Sequence, residues 1–190
     1  MKVGITGSHG LAEAFGDRLE WRNTGIGLWE PHYLRIEELI SNEFYRNEAL
    51  SYNIFINCAH VNFHQIELLA LFFEAWKDDP KKTIINISSR AAQPNISKGY
   101  VYAAQKAGLN HLANNLTYNS EKKCKITTIN LGLMNSDELP SLSYREIVQA
   151  VKFILTSPFE VPDITIQHPA NYQEVQEAKK VSLERKWIST

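Results

Sequence analysis

Short runs of β-branched residues alternate along this chain with segments whose apolar residues recur at helical spacing. Each run of four to six residues is rich in Ile, Val or Thr and apolar almost throughout. Strands of this kind are covered on both faces, as in a parallel sheet. The predicted strands are residues 2–6, 53–57, 82–87, 125–130 and 163–166, with residues 24–29 as a candidate for one more.

The segments between these strands have the length and periodicity of helices. The predicted helices cover residues 11–20, 36–47, 63–77, 101–119 and 144–156. Strand–helix alternation with right-handed crossovers predicts an α/β fold, a Rossmann-type doubly wound parallel sheet in a single domain. We expect that domain to span residues 1–170 and a charged C-terminal extension to follow over residues 171–190.

Composition excludes several classes of protein. The 190 residues are 44% hydrophobic, which is enough to bury a core and argues against disorder. A net charge of -1 argues against a nucleic-acid binder, which needs a basic surface. The longest apolar stretch, residues 66–76, is too short to span a membrane, and no signal peptide opens the chain. We therefore expect a cytoplasmic protein.

Sulfur and imidazole groups give no sign of a disulfide framework or a metal site. The chain has two cysteines, Cys58 and Cys124, and Cys58 is interpreted as a small buried residue. His60 and His64 are four residues apart, but no third ligand stands near them in the sequence. We expect no bound metal.

A glycine-containing turn follows the first predicted strand and opens the first predicted helix. Its residues Gly7, Ser8, His9, Gly10 and Leu11 are placed as in a phosphate-binding turn, where glycines allow close approach of a pyrophosphate to a helix N-terminus. The alternative is a plain strand–helix turn. Glu13 would repel an anion here unless its side chain points to solvent.

A serine pair and a Tyr-x-x-x-Lys motif suggest proton-transfer chemistry. Tyr102 and Lys106 lie four residues apart, so they share one face of a predicted helix. An ammonium beside a phenol favours the phenolate, and such a tyrosine can exchange a proton with an alcohol or carbonyl oxygen. Ser89 ends a predicted strand and could hold that oxygen. Ser88 is the alternative serine, whereas the spacing to Lys106 excludes Tyr100.

The spacing of further elements adds specificity to this motif. Ser89 precedes Tyr102 by thirteen positions, and Asn62 precedes Ser89 by twenty-seven. Residues 57–60, Asn-Cys-Ala-His, resemble an Asn-Asn-Ala-Gly element, and residues 130–136 resemble a Pro-Gly-x-x-x-Thr segment. Taken together and in this order, these elements resemble the short-chain dehydrogenase/reductase family over residues 2–166.

The resemblance implies an NAD(P)-dependent oxidoreductase that interconverts an alcohol and a carbonyl on a small-molecule substrate. Tyr102 would be the general acid/base, Ser89 would hydrogen-bond the reacting oxygen, Lys106 would bind the nicotinamide ribose, and Asn62 would hold a proton-relay water. The implied cofactor-binding residues are Gly7, Ser8, His9, Gly10, Leu11, Glu30, Asn57, Cys58, Ala59, Tyr102, Lys106, Gly132, Leu133 and Ser136.

The choice between NAD and NADP depends on the end of the second strand. Glu30 stands twenty residues after Gly10, where an acidic residue binds the ribose hydroxyls of NAD. A solvated loop carboxylate before Pro31 is the alternative. His9 and Arg35 would instead favour the 2′-phosphate of NADP. On balance the sequence favours NAD.

The chain also departs from the family pattern. The turn is Thr-Gly-x-x-Gly, Leu131 replaces a proline, and the intervals 57–62 and 136–144 are short. These differences predict an abridged enzyme with an open active site. They leave two alternatives, a catalytically weak NAD(P)-binding regulatory or scaffold protein and a sugar-nucleotide epimerase or dehydratase.

The helix predicted over residues 63–77 is apolar around much of its circumference. Such a helix is either deeply buried or covered by a second subunit. The resemblance implies a homodimer or homotetramer formed through this helix and the one predicted over residues 101–119.

Overall fold

Six parallel strands form one sheet, in the spatial order β2-β1-β3-β4-β5-β6. The computed structural model describes residues 1–18, 30–93, 99–137 and 139–169. The strands are β1 (Lys2–Thr6), β2 (Glu30–Leu34), β3 (Ile54–Asn57), β4 (Thr83–Ser89), β5 (Lys125–Leu131) and β6 (Asp163–Ile166).

Helices connect these strands and cover both faces of the sheet. They are α1 (Leu11–Arg18), α2 (Ile36–Ser41), α3 (Glu43–Leu50), α4 (His64–Trp76), α5 (Tyr100–Tyr118) and α6 (Tyr144–Thr156), with a short 3-10 helix at Arg90–Ala92. The Rossmann-like α/β fold is confirmed. Five strands and the last three helices lie within two residues of their predicted bounds, because long apolar or amphipathic runs identify such elements well.

Two predicted elements need correction. The second strand is Glu30–Leu34, whereas the candidate at residues 24–29 lies outside the described residues. The helix predicted over residues 36–47 is two helices, α2 and α3, because Asn42 is extended (φ -110°) and its side chain accepts a hydrogen bond from the Tyr45 amide. An asparagine that caps a new helix ends the preceding one. The proposed extension over residues 171–190 also lies outside the described residues.

The core consists of two apolar layers, one on each face of the sheet. Helices α1 and α6 contribute to one layer, and α2, α3, α4 and α5 contribute to the other. Phe72 of α4 is fully buried, stacks on Phe55 of β3 at 3.7 Å between ring centres, and meets Trp76 edge-on at 4.9 Å. The apolar face of α4 is therefore buried within its own chain, which is the first of the two interpretations given above.

The homodimer or homotetramer stays a prediction. Helix α4 leaves less apolar surface exposed than that prediction assumed. On α4, Ile66 and Leu71 are half-buried, while Tyr100 and Val101 at the start of α5 are exposed. We expect light scattering at micromolar concentration to give a multiple of the 21.7 kDa chain mass. A scattering mass of one chain would contradict the prediction.

The order of the strands determines where a ligand can bind. From β1 the chain moves outward to β2 and then returns to place β3 on the other side of β1. In open α/β sheets the crevice at the carboxyl ends of two such strands is the usual ligand site. Here the residues after β1 and β3 form that crevice. No helix of the described part of the chain is long and apolar enough to cross a membrane.

Candidate active site

The turn after β1 has the backbone conformation of a phosphate-binding turn. Gly7 and Gly10 have positive φ angles of 88° and 61°, which side chains rarely allow. A Cβ at Gly7 would lie 3.1 Å from the Ala59 Cβ, and a Cβ at Gly10 would lie 3.1 Å from the Tyr144 hydroxyl. Both glycines are therefore required by conformation and by space, and they bring the backbone close to the start of α1.

The turn is tied to the segment after β3. The Thr6 hydroxyl accepts hydrogen bonds from the backbone amides of Cys58 (2.8 Å) and Ala59 (3.0 Å). This cross-link holds the two sides of the crevice together. The exposed Glu13 of α1 satisfies the condition stated for an anion site at this turn, because its carboxylate faces solvent.

Two clefts share residues of the glycine turn, and we refer to the pair as the groove. The first, about 370 Å³, extends from the turn to Tyr102 and Lys106. The second, about 470 Å³, lies over the end of β2. Gly7, Ser8 and Ala59 line both clefts. The first is also lined by Thr6, His9, Leu11, Ala12, Cys58, His60, Ile87, Ser88 and Met134.

Tyr102 and Lys106 face the first cleft from α5, as their spacing predicted. The Lys106 ammonium lies 5.6 Å from the centre of the Tyr102 ring. Tyr102 is 37% exposed, whereas Lys106 is almost fully buried and donates to Gln65 Oε1 (2.7 Å) and to the Ile87 carbonyl (2.8 Å). Burial lowers the pKa of Lys106 to about 8, although the nearby Cys58 acts in the opposite direction.

His60 adds an imidazole to this cleft. Its ring meets the Tyr102 ring edge-on at 4.9 Å between centres, and its Nε2 lies 2.9 Å from Gln105 Oε1. Burial and the Lys106 ammonium lower the pKa of His60, while the hydrogen bond to Gln105 raises it. The side chain stands where the family element ends in glycine, so it adds an imidazole to the lining of this cleft.

The two serines at the end of β4 have different surroundings. Ser88 is buried, lines the first cleft, and donates its hydroxyl to Asn110 Oδ1. Ser89 is half-buried, and its hydroxyl accepts a hydrogen bond from the Ala91 amide (3.1 Å) at the start of the 3-10 helix. Residues 94–98, between Ser89 and Tyr102, lie outside the described residues.

Asn62 has no hydrogen bond to Lys106 among the described residues. It is exposed, has a positive φ of 46°, and belongs to the turn that precedes α4. Gln65, one turn further along, is buried and contacts Lys106 directly. The water-holding role that the resemblance implied for Asn62 therefore stays a prediction, whereas Gln65 is the neighbouring residue that contacts Lys106 directly.

Glu30 is at the wrong end of its strand to bind a ribose. It is the first residue of β2 and pairs with Lys2, whereas Leu34 ends the strand beside Thr6 and the glycine turn. The expectation that Glu30 ends the second strand is wrong, because β2 begins where the sequence analysis placed its end. Arg35 and Glu37 line the second cleft instead.

Arg35 is held through its backbone, and its side chain is exposed. Its amide donates to the Tyr45 hydroxyl (3.1 Å), and its guanidinium donates to Glu38 (2.8 Å). The guanidinium is 78% exposed. An exposed ion pair of this kind is weak and can be exchanged for a phosphate.

The segment after β5 contributes a different residue from those expected. Met134 lines the first cleft, whereas Gly132, Leu133 and Ser136 are not among its lining residues. The Gly132 amide donates a hydrogen bond to the Ile166 carbonyl (2.8 Å). The Ser136 amide donates one to the Ser141 hydroxyl within the short loop. Asn57 is also fully buried, and its amide bonds to Gln65 and Asn86, so it supports the sheet beneath the groove.

Sequence analysis missed Gln65, Gln105 and Met134 as site residues. A signal for Gln65 was present, because it is a polar residue on the same helical face as Leu68, Leu69 and Phe72. A polar side chain on a buried face needs a hydrogen-bond partner inside the protein. No comparable signal marks Met134, whose position depends on a loop.

Cys58 lines the cleft, and we expect its thiol to react slowly. Burial raises the pKa of Cys58 to about 12. We expect iodoacetamide at pH 7.5 to modify it roughly a thousandfold more slowly than an ordinary cysteine, since the thiolate is the reactive form. Mass spectrometry of a time course measures this, with denatured protein as the control. Complete modification of the folded protein at the denatured rate would contradict the assignment.

A family model described as short chain dehydrogenase matches residues 35–146, more than half of the chain. The chain belongs to the short chain dehydrogenase family. That match includes the segment after β3, both serines of β4 and the Tyr102–Lys106 motif. Among curated proteins, none matches the sequence significantly.

Solved structures of dehydrogenases share the fold. An alcohol dehydrogenase from the archaeon Thermococcus sibiricus, complexed with 5-hydroxy-NADP, is 18% identical with a TM-score of 0.68, covering 90% of this chain and 98% of its own. Serine dehydrogenase from Escherichia coli is 17% identical with a TM-score of 0.61, covering 88% and 97%. A 3-alpha-hydroxysteroid dehydrogenase from Pseudomonas sp. B-0831, complexed with NADH, is 14% identical with a TM-score of 0.65, covering 87% and 95%.

Proposed function

We propose that this short chain dehydrogenase is an NADP-dependent oxidoreductase that interconverts a carbonyl compound and an alcohol. The observation that carries the proposal is the groove, two clefts that share the glycine turn, with Tyr102 and Lys106 lining the first and Arg35 lining the second. A proton donor and a phosphate-binding turn in one groove suit a dinucleotide and a small polar substrate.

The residues of the groove fit a nicotinamide dinucleotide. Gly7 and Gly10 leave space that a Cβ would fill, and the N-terminus of α1 favours a pyrophosphate beside them. The amides after β1 and β3 would hold the phosphates and the adenosine ribose, and Lys106 would hold the second ribose. When bound, the nicotinamide supplies or accepts the hydride.

The position of Arg35 favours NADP over the NAD expected from sequence. The argument for NAD depended on Glu30, which lies at the far edge of the sheet from the glycine turn. Arg35 lines the second cleft together with Ser8, and its exposed guanidinium can bind a 2′-phosphate. Glu37, an exposed residue that lines the same cleft, would repel the 2′-phosphate and weakens this preference.

The side chains suggest how the proton moves. In the reductive direction the Tyr102 hydroxyl donates a proton to the carbonyl oxygen, and in the oxidative direction the phenolate accepts it back. The Lys106 ammonium lies 5.6 Å from the centre of the Tyr102 ring, close enough to hold the cofactor ribose beside the phenol. Ser89 would hydrogen-bond the same oxygen after its hydroxyl rotates away from its present bonds. The short loop after β5 leaves the cleft open, so a substrate larger than the cleft can extend into solvent.

A binding protein without efficient turnover is the second candidate. The observation in its favour is that Lys106 donates to Gln65 and Ile87, while both serine hydroxyls are already hydrogen-bonded. Such a protein would bind the cofactor and leave carbonyl compounds unchanged.

Calorimetric titration and a turnover assay separate the two candidates. We expect one molecule of NADPH per chain to bind, more tightly than NADH, and a panel of aldehydes and ketones to include compounds that consume NADPH. Tight cofactor binding without consumption would support the binding protein. Failure of both reduced cofactors to bind at millimolar concentration would overturn the proposal.

A further inference from the structure

We propose that Gln65, and not Asn62, is the positioning residue for Lys106, and that it does so by direct hydrogen bonding to the ammonium. The inference rests on the proposed function, which gives Lys106 its role at the ribose and beside Tyr102. It replaces the water-mediated role that the resemblance implied for Asn62 with a direct contact from the buried face of α4.

The hydrogen bonds of Gln65 allow only one orientation of its side-chain amide. Its Nε2 donates to the carbonyls of Asn57 (2.8 Å) and Ile87 (3.1 Å), which can only accept. Its Oε1 must therefore point the other way, where it accepts from Lys106 Nζ at 2.7 Å. The side chain is 2% exposed, so water does not compete for these bonds. Gln65 thus links the end of β3, the end of β4 and the lysine of α5.

Asn62 differs from Gln65 in its place on the chain and in its exposure. Its residue is exposed and precedes α4, whereas the inward face of that helix begins with Gln65 and continues with Leu68 and Leu69. In the ranges that the structure describes, no hydrogen bond joins Asn62 to Lys106. The lysine instead takes its two acceptors from Gln65 and the Ile87 carbonyl.

The charged state of Lys106 depends strongly on its hydrogen-bond acceptors, because few other groups stabilise the ammonium. The titratable groups facing it are Cys58 after β3, His60 in the cleft and Tyr102 on its own helix. The Cys58 thiol stays protonated at neutral pH, since burial raises its pKa to about 12. No carboxylate of the described residues is hydrogen-bonded or ion-paired to Lys106, and burial lowers its pKa to about 8. A neutral amide oxygen is therefore a main support of the ammonium.

Two variants that lose the same pair of donated hydrogen bonds test the inference. Gln65→Met and Gln65→Glu both lose the amide that donates to Asn57 and Ile87, so that loss cancels in their comparison. Gln65→Met removes the acceptor, and we expect the midpoint of Lys106 titration to fall by about one to two pH units. Gln65→Glu replaces the acceptor with a charged one, and we expect the midpoint to rise by about one unit or more.

The titration is followed by NMR, without cofactor or substrate, from the lysine Cε signals of 13C-labelled protein. The Lys106 signal is identified as the one that is missing in Lys106→Met. Circular dichroism checks that each variant is folded. Asn62→Ala is the matched control, and its Lys106 midpoint should equal that of the wild type. Shifts of the same sign in both Gln65 variants, or a shift in Asn62→Ala, would overturn the inference.

Failure of the inference and failure of the proposed function are distinguishable. If Lys106 titrates as expected but no carbonyl compound is reduced, the proposed function fails while the positioning role stands. If turnover is found but the Gln65 variants leave the Lys106 midpoint unchanged, the function stands and the positioning role fails. Should one Gln65 variant not fold, the direction of the shift in the other still decides.

Discussion

Replacing Tyr102 with phenylalanine should reduce kcat by about a hundredfold to ten-thousandfold, the contribution expected of a positioned general acid. Phenylalanine keeps the ring that meets His60 edge-on and lies beside Lys106. It removes the hydroxyl proton that the carbonyl oxygen must receive. The Kd for NADPH should change by less than about twofold, so that the loss lies in the chemical step.

Tyr100→Phe is the matched control for this variant. Tyr100 begins the same helix, is 81% exposed, and is the tyrosine that the spacing to Lys106 excludes. Its substitution should leave kcat unchanged. Steady-state kinetics with a substrate from the carbonyl panel measures both variants. Retention of most activity in Tyr102→Phe would contradict the assignment of the general acid.

Replacing Arg35 with alanine should weaken NADPH binding by about ten- to a hundredfold, because a charge-assisted contact to a phosphate contributes about 1.5–3 kcal/mol. The affinity for NADH should stay nearly the same, since that cofactor carries no 2′-phosphate. The exposed guanidinium is hydrogen-bonded only through Glu38 among the contacts described above, so its removal leaves the core untouched. Calorimetric titration with both cofactors measures the difference.

Glu30→Gln is the control that tests the corrected position of β2. Glu30 begins the strand, at the edge of the sheet opposite the glycine turn. We expect this variant to bind NADH and NADPH as the wild type does. A selective loss of NADH affinity in Glu30→Gln would contradict the proposed recognition of the 2′-phosphate by Arg35. An equal loss of affinity for both cofactors in Arg35→Ala would also contradict it.

The fold could be predicted wherever a strand is a buried apolar run. β3, β4 and β5 are covered on both faces, and their sequences are nearly continuous runs of Ile, Thr and Asn. β2 was missed because its sequence, Glu-Pro-His-Tyr-Leu, contains no β-branched residue and only its last residue is buried. The other edge strand, β6, was found because its sequence, Asp-Ile-Thr-Ile, is rich in β-branched residues. A proline is tolerated in an edge strand such as β2, and polarity there conceals the strand from an apolar pattern.

In the candidate site, too, relations within one helix could be predicted from the sequence, whereas relations between distant elements could not. Tyr102 and Lys106 were correctly placed on one face because their relation depends on one helical turn. Asn62 and Glu30 were placed by counting residues across segments of unknown geometry. An inward-facing polar residue such as Gln65 can be found from helix periodicity, but its partner on α5 requires the tertiary structure.

Transfer of deuterium to a carbonyl carbon, from NADPH that carries deuterium at both C4 positions of its dihydronicotinamide, tests the central claim most directly. The wild-type protein would be incubated with the labelled cofactor and a panel of aldehydes and ketones, with Tyr102→Phe in parallel. We predict an alcohol carrying one deuterium on its carbinol carbon, formed by the wild type and nearly absent with the variant. Binding of the labelled cofactor with no deuterated alcohol from any compound would contradict an oxidoreductase and favour the binding protein.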